Sequence, residues 1–247
     1  MSVLQSPPAV FHSVSEPAKR AAIEVTTHAR LAGVSLLVAL GSIIAFQGGG
    51  AIVGQGPRPE DADSTAQVAA YFGHAGLALI FMIGIITVIA LSSFAISIRH
   101  YLATFSPSPS VSHVVDLGVL TLVLVVGVYT VVIGLGLALI KLAEQADPGA
   151  MSLFAAFTWL YDGTLNWIEG TGFGLISLGA LLTGAWPWWL TRFGLLVSAL
   201  LLVLAAPSLV LGYPDSLTFG AYLPEAIWML ALGIYLTRGG RKPVAGP

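Results

Sequence analysis

Six long apolar runs, separated by short connections, constrain this chain more than any other feature of its sequence. They cover roughly residues 31–54, 74–98, 117–140, 166–186, 190–212 and 218–237. A transmembrane helix needs about 20 consecutive, predominantly apolar residues. Strands of a membrane barrel would instead alternate apolar and polar residues over about ten positions, and the runs show no such alternation. We therefore predict an all-α, polytopic membrane bundle of six transmembrane helices.

The composition agrees with a membrane protein and excludes several kinds of site. Only 9% of the 247 residues are charged and 56% are hydrophobic, whereas soluble domains carry about 25% charged residues. The absence of cysteine excludes disulfides, thiolate zinc sites, iron–sulfur clusters and covalently attached haem. A net charge of −2 gives no reason to expect a nucleic-acid partner.

The chain divides into one large membrane domain and two short tails. Residues 1–29 are predicted to be a cytoplasmic tail followed by a short helix over 15–29, which either lies on the membrane surface or extends the first span. Ser15 is a plausible N-cap there, and Pro17 falls in the first turn. Residues 30–240 form the six-helix domain, and 241–247 form a second cytoplasmic tail. The first apolar run begins too late for a signal peptide and is predicted to be a retained span.

The distribution of basic residues predicts the orientation. The termini and the even-numbered loops carry eight basic residues against two in the odd-numbered loops. The eight are Lys19, Arg20, Arg30, Arg99, Arg192, Arg238, Arg241 and Lys242, and the two are Arg58 and Lys141. Because Lys and Arg accumulate in cytoplasmic loops, both termini are predicted to be cytoplasmic.

Aromatic residues near the span ends fit two interfacial belts. Trp186, Trp188 and Trp189 are predicted to form the cytoplasmic belt, beside Arg192. The predicted outer belt contains four residues, Trp159, Tyr161, Tyr213 and Tyr222.

Small residues on one helix stripe predict where helices touch. One stripe on the fourth span contains Gly163, Gly170, Gly174 and Ser177, and one on the third contains Gly127, Gly134 and Ala138. Small side chains let helix backbones approach closely in lipid. We expect both stripes to be packing faces.

The segment "LYDGTLNWIEGTGFG" (160–174) places Asp162, Asn166 and Glu169 at i, i+4 and i+7, on one stripe of a helix. Counting back roughly 20 residues from the tryptophans at 186–189 puts the outer interface near residue 166. Asp162 and Asn166 are therefore expected at the interface, and Glu169 just inside the apolar slab. All three are candidate ligand or proton site residues, expected to line a polar path from the outer surface into the bundle.

Other polar residues are predicted at a similar depth. Glu225 lies roughly 20 Å along its helix from Arg238, and His74 opens the second span. Gln47 and Tyr129 lie in the first and third spans. Ionisable residues within lipid are costly and usually face the bundle interior. His74, Glu169 and Glu225 are therefore candidates to converge on a cavity open to the outside, where the carboxyls would carry protons, bind a ligand or fix the packing.

No catalytic residue, metal site or particular cofactor is predicted. Asp162 and Glu169 lie about 10.5 Å apart along a helix axis, which is wide even for an inverting carboxylate pair. The five histidines show no metal-binding spacing, and three of them, at 28, 100 and 113, fall on the cytoplasmic side.

The second half resembles a group of small bacterial six-span membrane proteins known only as a domain of unknown function. The resemblance covers about residues 155–240 and includes "WPWWLTRFG" and "LPEAIWMLALGIYL", followed by "RGG". Pro187, Leu190, Gly194, Glu225 and Gly233 occupy positions comparable to those of the family pattern. The resemblance implies six spans and a bacterial cytoplasmic (inner) membrane, and it draws attention to Glu225. It implies no activity.

Three functions stay open on this sequence. The first is a non-enzymatic accessory or lipid- and ligand-binding subunit that meets other membrane subunits or a second copy of itself within the bilayer. The second is a small-molecule or proton-coupled transporter that uses Glu169 and Glu225. The third is an intramembrane enzyme acting on a lipid or quinone, with the outer-leaflet carboxyls as acid and base. Convergence of the carboxyls with His74 would favour it, and their dispersal to separate helix faces would remove it. The first asks least of the sequence and is the prediction.

Overall fold

The computed structural model describes residues 16–53, 64–74, 76–105, 108–145, 147–211 and 219–241, and all of its regular elements are helices. The α-helices are α1 (Glu16–Val53), α2 (Thr65–Phe72), α3 (Gly76–Ala103), α4 (Pro109–Glu144), α5 (Gly149–Thr158), α6 (Asn166–Thr183), α7 (Trp188–Leu211) and α8 (Phe219–Thr237). A π-helical segment, Trp159–Leu165, joins α5 to α6. The all-α prediction is confirmed.

Five helical stretches in the described part of the chain are long and apolar enough to cross a membrane. They are Ile23–Gly50, Gly76–Ala103, Pro109–Glu144, Gly149–Thr183 and Trp188–Pro207. These five support a membrane-embedded, multi-pass protein. The sixth predicted span corresponds to α8, which is not among them.

The first helix runs without interruption from Glu16 to Val53. The predicted segment 15–29 is therefore not a separate short helix; from Glu16 on it is the beginning of α1. Its apolar positions are already part of the core, because Val25 and Ala29 are buried in the bundle. The rest of the N-terminal tail, residues 1–15, lies outside the described residues.

The two ends of the bundle are built differently. At the end where the described chain starts and finishes, here named the terminal end, His28 stacks on His100 with ring centroids 4.8 Å apart. Arg99 donates to Asp116 at the same end, with Nε and Oδ1 2.8 Å apart. At the opposite end, the short α2 packs against α4 and α5, and Phe72 meets the ring of Phe157 edge-on.

The long helices pack in a defined order around a continuous apolar core. α1 lies between α3 and α8, α4 between α3 and α6, and α7 between α6 and α8. The crossing of α1 and α8 is close because both helices carry a glycine there. A Cβ on Gly33 would lie 2.7 Å from the carbonyl oxygen of Gly233, so only glycine fits at this spacing.

The glycine stripe on α6 packs as the sequence predicts. A Cβ on Gly170 would lie 2.9 Å from the Cβ of Leu201 in α7. The hydroxyl of Ser198 donates to the carbonyl oxygen of Gly170 at 2.6 Å. Because Gly170 has no side chain, its carbonyl oxygen is accessible to α7, and the two helices gain a hydrogen bond as well as close contact.

The prediction for the other stripe is wrong within the described residues. No atom lies within 4 Å of a Cβ placed on Gly127 or on Gly134 of α4. Both positions are exposed, because α3 and α6 pack on other faces of α4. This face is directed away from the bundle.

The turn between α6 and α7 joins three parts of the terminal end. Gly184 ends α6 in the left-handed conformation, with φ +62°. The hydroxyl of the buried Tyr101 donates to the carbonyl oxygen of Ala185 at 3.2 Å and accepts from the backbone N–H of Arg241 at 2.9 Å. The Arg241 guanidinium donates to the Gly184 carbonyl oxygen at 2.6 Å. The chain beyond α8 is thereby held against this turn.

The predicted tryptophan belt at this end needs one correction. Trp188 and Trp189 are exposed on α7, and the Arg192 guanidinium lies 5.1 Å from the centre of the Trp188 ring. Trp186 is buried and contacts the ring of Trp228. It follows the tight turn at Gly184, which directs it into the core.

Candidate functional site

The π-helical segment 159–165 shapes the helix that carries the acidic stretch. Hydrogen bonds from residue i to i+5 replace the regular pattern there, so the side-chain register changes between α5 and α6. Two threonine hydroxyls at its ends, Thr158 Oγ1 and Thr164 Oγ1, are buried without hydrogen-bond partners among the described residues. Such segments are rare and are often found at functional sites.

A cavity of about 70 Å³ lies beside this segment, between α1, α4, α6 and α8. Its apolar lining residues are Leu40, Ile43, Ile44, Leu165, Ala226 and Met229, and its polar ones are Gln47, Tyr129, Tyr161, Asn166, Glu169, Tyr222 and Glu225. The cavity is large enough for several water molecules, each of which needs at least about 10–15 Å³. Polar groups therefore converge on a space that a small ligand group can enter.

Both predicted glutamates line this cavity. Glu169, in the first turn of α6, is 4% exposed, and Glu225, in the second turn of α8, is 7% exposed. The Oε1 atom of Glu169 is buried with no hydrogen-bond partner among the described residues. Buried polar atoms nearly always have a hydrogen-bond partner. The described residues provide none for this oxygen, so a bound molecule could be its partner.

Asn166, which was also predicted as a site candidate, lines the cavity as well. It is 3% exposed and donates from Nδ2 to the Tyr222 hydroxyl at 2.9 Å. Its side chain therefore faces the bundle interior, as the predicted polar path requires.

The other two predicted site residues are placed differently. His74 does not line the cavity: it follows α2, and its Nε2 lies 3.0 Å from the carbonyl oxygen of Ala70 in its own helix. The predicted convergence thus holds for Glu169 and Glu225 but not for His74. Asp162 lies in the π-helical segment, and its side chain is outside the described part of the chain. Because that segment is not a regular α-helix, the predicted i, i+4 relation to Asn166 does not apply.

Two tyrosines of the cavity were predicted for the outer aromatic belt instead. Tyr161 is buried and stacks on Phe157, with ring centroids 5.7 Å apart. Tyr222 is half-buried. The spacing of Tyr222, Glu225 and Met229, at i, i+3 and i+7, could have placed all three on one helix face. Nothing comparable in the sequence signals Tyr161, since the π-helical segment sets its direction.

The chemistry of the lining favours binding of a hydrogen-bond donor or a positive charge. Two carboxyls, three phenol groups and two amides meet there, and the thirteen lining residues include no Lys, Arg or His. No group of three His, Asp or Glu residues suited to a metal ion occurs among the described side chains.

Comparisons with known proteins give no relative: no protein-family model, curated protein or solved structure matches the chain. The resemblance of residues 155–240 to bacterial six-span proteins therefore stays a prediction.

Proposed function

We propose that this chain is a non-enzymatic integral membrane protein that binds a small molecule or lipid, as an accessory subunit of a larger membrane assembly. One observation carries the proposal. Glu169 and Glu225, on different helices and both more than nine-tenths buried, line one cavity together with Asn166 and three tyrosines.

A purely structural role explains these carboxyls less well than a ligand does. Carboxyls within a bundle that only fix the packing are expected to pair with a cation or with another hydrogen-bonding group. The lining provides no basic side chain, and Glu169 Oε1 is unpartnered within the described residues. A ligand with hydrogen-bond donors would supply the missing partner. Sites between the helices of a bundle are a common place for small ligands.

We further propose six spans, with both termini cytoplasmic, in a bacterial cytoplasmic membrane. α8 has 19 residues, which is roughly 28 Å at 1.5 Å per residue and enough to cross the apolar slab. It packs along both α1 and α7. Seven of the eight basic residues that predict the orientation lie in described segments on the side of the terminal end: Lys19, Arg20, Arg30, Arg99, Arg192, Arg238 and Arg241. The cavity then opens in the outer half of the bilayer.

Transport is the second candidate, and the shared cavity is the observation that favours it. Two carboxyls on different helices can exchange a proton and a ligand at one place, as a proton-coupled carrier requires. Convergence of His74 with the carboxyls would have favoured the enzyme alternative, but His74 does not line the cavity.

The proposal can be tested by gentle extraction of the full chain from its native membrane and mass spectrometry of everything that co-purifies. We expect one small molecule or lipid to co-purify in an amount nearly equimolar with the chain, together with larger protein subunits. Ala226→Leu places extra volume in the cavity, and the bound molecule should fall about tenfold, which corresponds to about 1.4 kcal/mol. Ala138→Leu is the matched control, because Ala138 is exposed on α4, away from the cavity.

Three results would contradict parts of this proposal. A preparation without any bound small molecule would remove the binding function. A bound molecule retained equally by Ala226→Leu would place its site elsewhere. A lone chain that carries a ligand and accumulates it in vesicles would replace the subunit role with transport.

A further inference from the structure

The ligand class can be narrowed from the charges around the cavity. The lining carries two carboxyls, Glu169 and Glu225, and no basic residue to balance them. An anionic group, such as a phosphate or a carboxylate, would be repelled by both carboxylates, and the tyrosine and amide donors of the lining carry no positive charge to offset that repulsion. A cationic group would be attracted by the carboxyls and would supply a donor to Glu169 Oε1, which has no partner among the described residues.

The aromatic lining favours an organic cation in particular. Tyr129 and Tyr161 are buried in the cavity wall, and Tyr222 is half-buried beside them. Aromatic ring faces attract ammonium groups, and the attraction is strongest where water is excluded. An inorganic cation would require a tight shell of oxygen ligands, whereas much of this wall is aliphatic.

The size and opening of the cavity indicate a head group with a tail. A volume of about 70 Å³ holds roughly five water-sized groups. Two lining residues of α1, Ile44 and Gln47, are exposed, and both fall within the membrane-crossing stretch Ile23–Gly50. The cavity therefore opens sideways beside α1, at the level of the lipid rather than only at the end of the bundle.

We propose that the cavity binds the ammonium head of a lipophilic amine, whose apolar tail passes Ile44 into the bilayer. This inference rests on the proposed binding function and specifies its ligand. The head donates to Glu169 and Glu225 and lies against the tyrosine rings. The free amine of a single-chain lipid and a simple alkylamine share this chemistry.

The test uses the full chain in phosphatidylcholine nanodiscs, with empty nanodiscs as background. Equilibrium dialysis with radiolabelled octylamine should show saturable binding, near one molecule per chain. Octanol and octanoate, which have similar tails but lack the positive charge, should compete at least about tenfold more weakly. A sphingoid base that competes better than octylamine would identify a lipid as the source of the amine, and equal competition would identify a simple alkylamine.

Matched variants locate the site. Glu225→Gln and Glu169→Gln should each weaken octylamine binding about tenfold or more, because each removes a charged acceptor. Glu144→Gln is the control, since Glu144 pairs with Lys141 on the surface and does not line the cavity. Ile44→Trp should slow entry at the side opening. Ile89→Trp, on an exposed face of α3, should not.

The outcomes separate this inference from the proposed function. Suppose that octanol competes as well as octylamine and that Ala226→Leu still weakens binding. This result would overturn the amine inference and keep a ligand site in the cavity. Displacement of octylamine by sodium ions alone would assign an inorganic cation instead. Octylamine binding that is unchanged in both glutamine variants would place its site elsewhere. The protein could also show no saturable octylamine binding and yet co-purify with another molecule whose amount falls in Ala226→Leu. This result would overturn the amine inference but not the proposed binding function.

Discussion

Gly194 on α7 is packed tightly against both α6 and α8. A Cβ there would meet the Ser177 hydroxyl of α6 and would lie 2.6 Å from Nε1 and 2.8 Å from Cε2 of Trp228. The Trp228 ring is fully buried and donates to the Leu190 carbonyl oxygen at 3.2 Å. Gly194→Ala must displace this large ring and the Ser177 hydroxyl, or separate α7 from its two neighbours. We expect the free energy of unfolding, measured by SDS titration in mixed micelles, to fall by about 1–3 kcal/mol.

Gly127→Ala provides the matched control for that substitution. Gly127 is also a helical glycine, but nothing lies within 4 Å of a Cβ placed on it. Alanine is favoured over glycine in a helix by about 1 kcal/mol, so stability should stay unchanged or rise. Equal losses in the two variants would show that contact with Trp228 is not the source of the cost at Gly194.

At the scale of residues, the sequence correctly predicted that Glu169 and Glu225 face the bundle interior, but it did not predict the burial of several aromatic residues. Glu169 and Glu225 could be found because a buried acid in an apolar run has few alternatives. Tyrosine and tryptophan are suited both to the membrane interface and to a cavity wall. Tyr161, Tyr222 and Trp186 were therefore assigned to belts, although all three are partly or fully buried in the bundle.

At the scale of elements, one hydroxyl contacts both the α6–α7 turn and the chain after α8 and so joins them to α3. Tyr101 is fully buried, and its hydroxyl contacts both the Ala185 carbonyl oxygen and the Arg241 N–H. Tyr101→Phe removes the partner of this part-buried N–H and one partner of the Ala185 carbonyl oxygen, which costs about 1–3 kcal/mol. We expect a corresponding fall in unfolding free energy and faster proteolysis of the C-terminal residues.

Tyr235→Phe tests whether this cost is specific to Tyr101. The Tyr235 hydroxyl donates to the same Ala185 carbonyl oxygen at 3.1 Å, but Tyr235 is only half-buried. Its loss removes one hydrogen bond and should cost about 0.5–1 kcal/mol. If Tyr235→Phe were the more damaging change, the junction would depend on α8 itself rather than on the link to Arg241.

The long helices were predictable because apolar length alone determines them. The π-helical segment was not, because residues 149–183 also read as one regular apolar helix, and only the register of hydrogen bonds differs. That difference determines where Tyr161 and Leu165 point. The shape of the cavity therefore depends on a feature that hydropathy and small-residue spacing do not report.

For the whole molecule, the absence of cysteine makes the proposed topology directly measurable. Single cysteines can replace Glu24 and Arg238, which are exposed at the terminal end, and Gln145, which is exposed at the opposite end. A membrane-impermeant maleimide added to intact cells should label Gln145→Cys at once. It should label Glu24→Cys and Arg238→Cys only after the cells are permeabilised, because the basic residues keep that end in the cytoplasm.

The same three variants decide whether the number of spans is even, as the six-span proposal requires. If α8 crosses the bilayer beside α1, positions 24 and 238 must share one side and position 145 must lie on the other. Labelling of Arg238→Cys in intact cells, with Glu24→Cys still protected, would mean an odd number of crossings, and α8 would have to leave the bundle. The cavity could not then form, because Tyr222, Glu225, Ala226 and Met229 of α8 make one of its walls. A labelling result that contradicts an even number of spans would therefore also contradict the proposed ligand site.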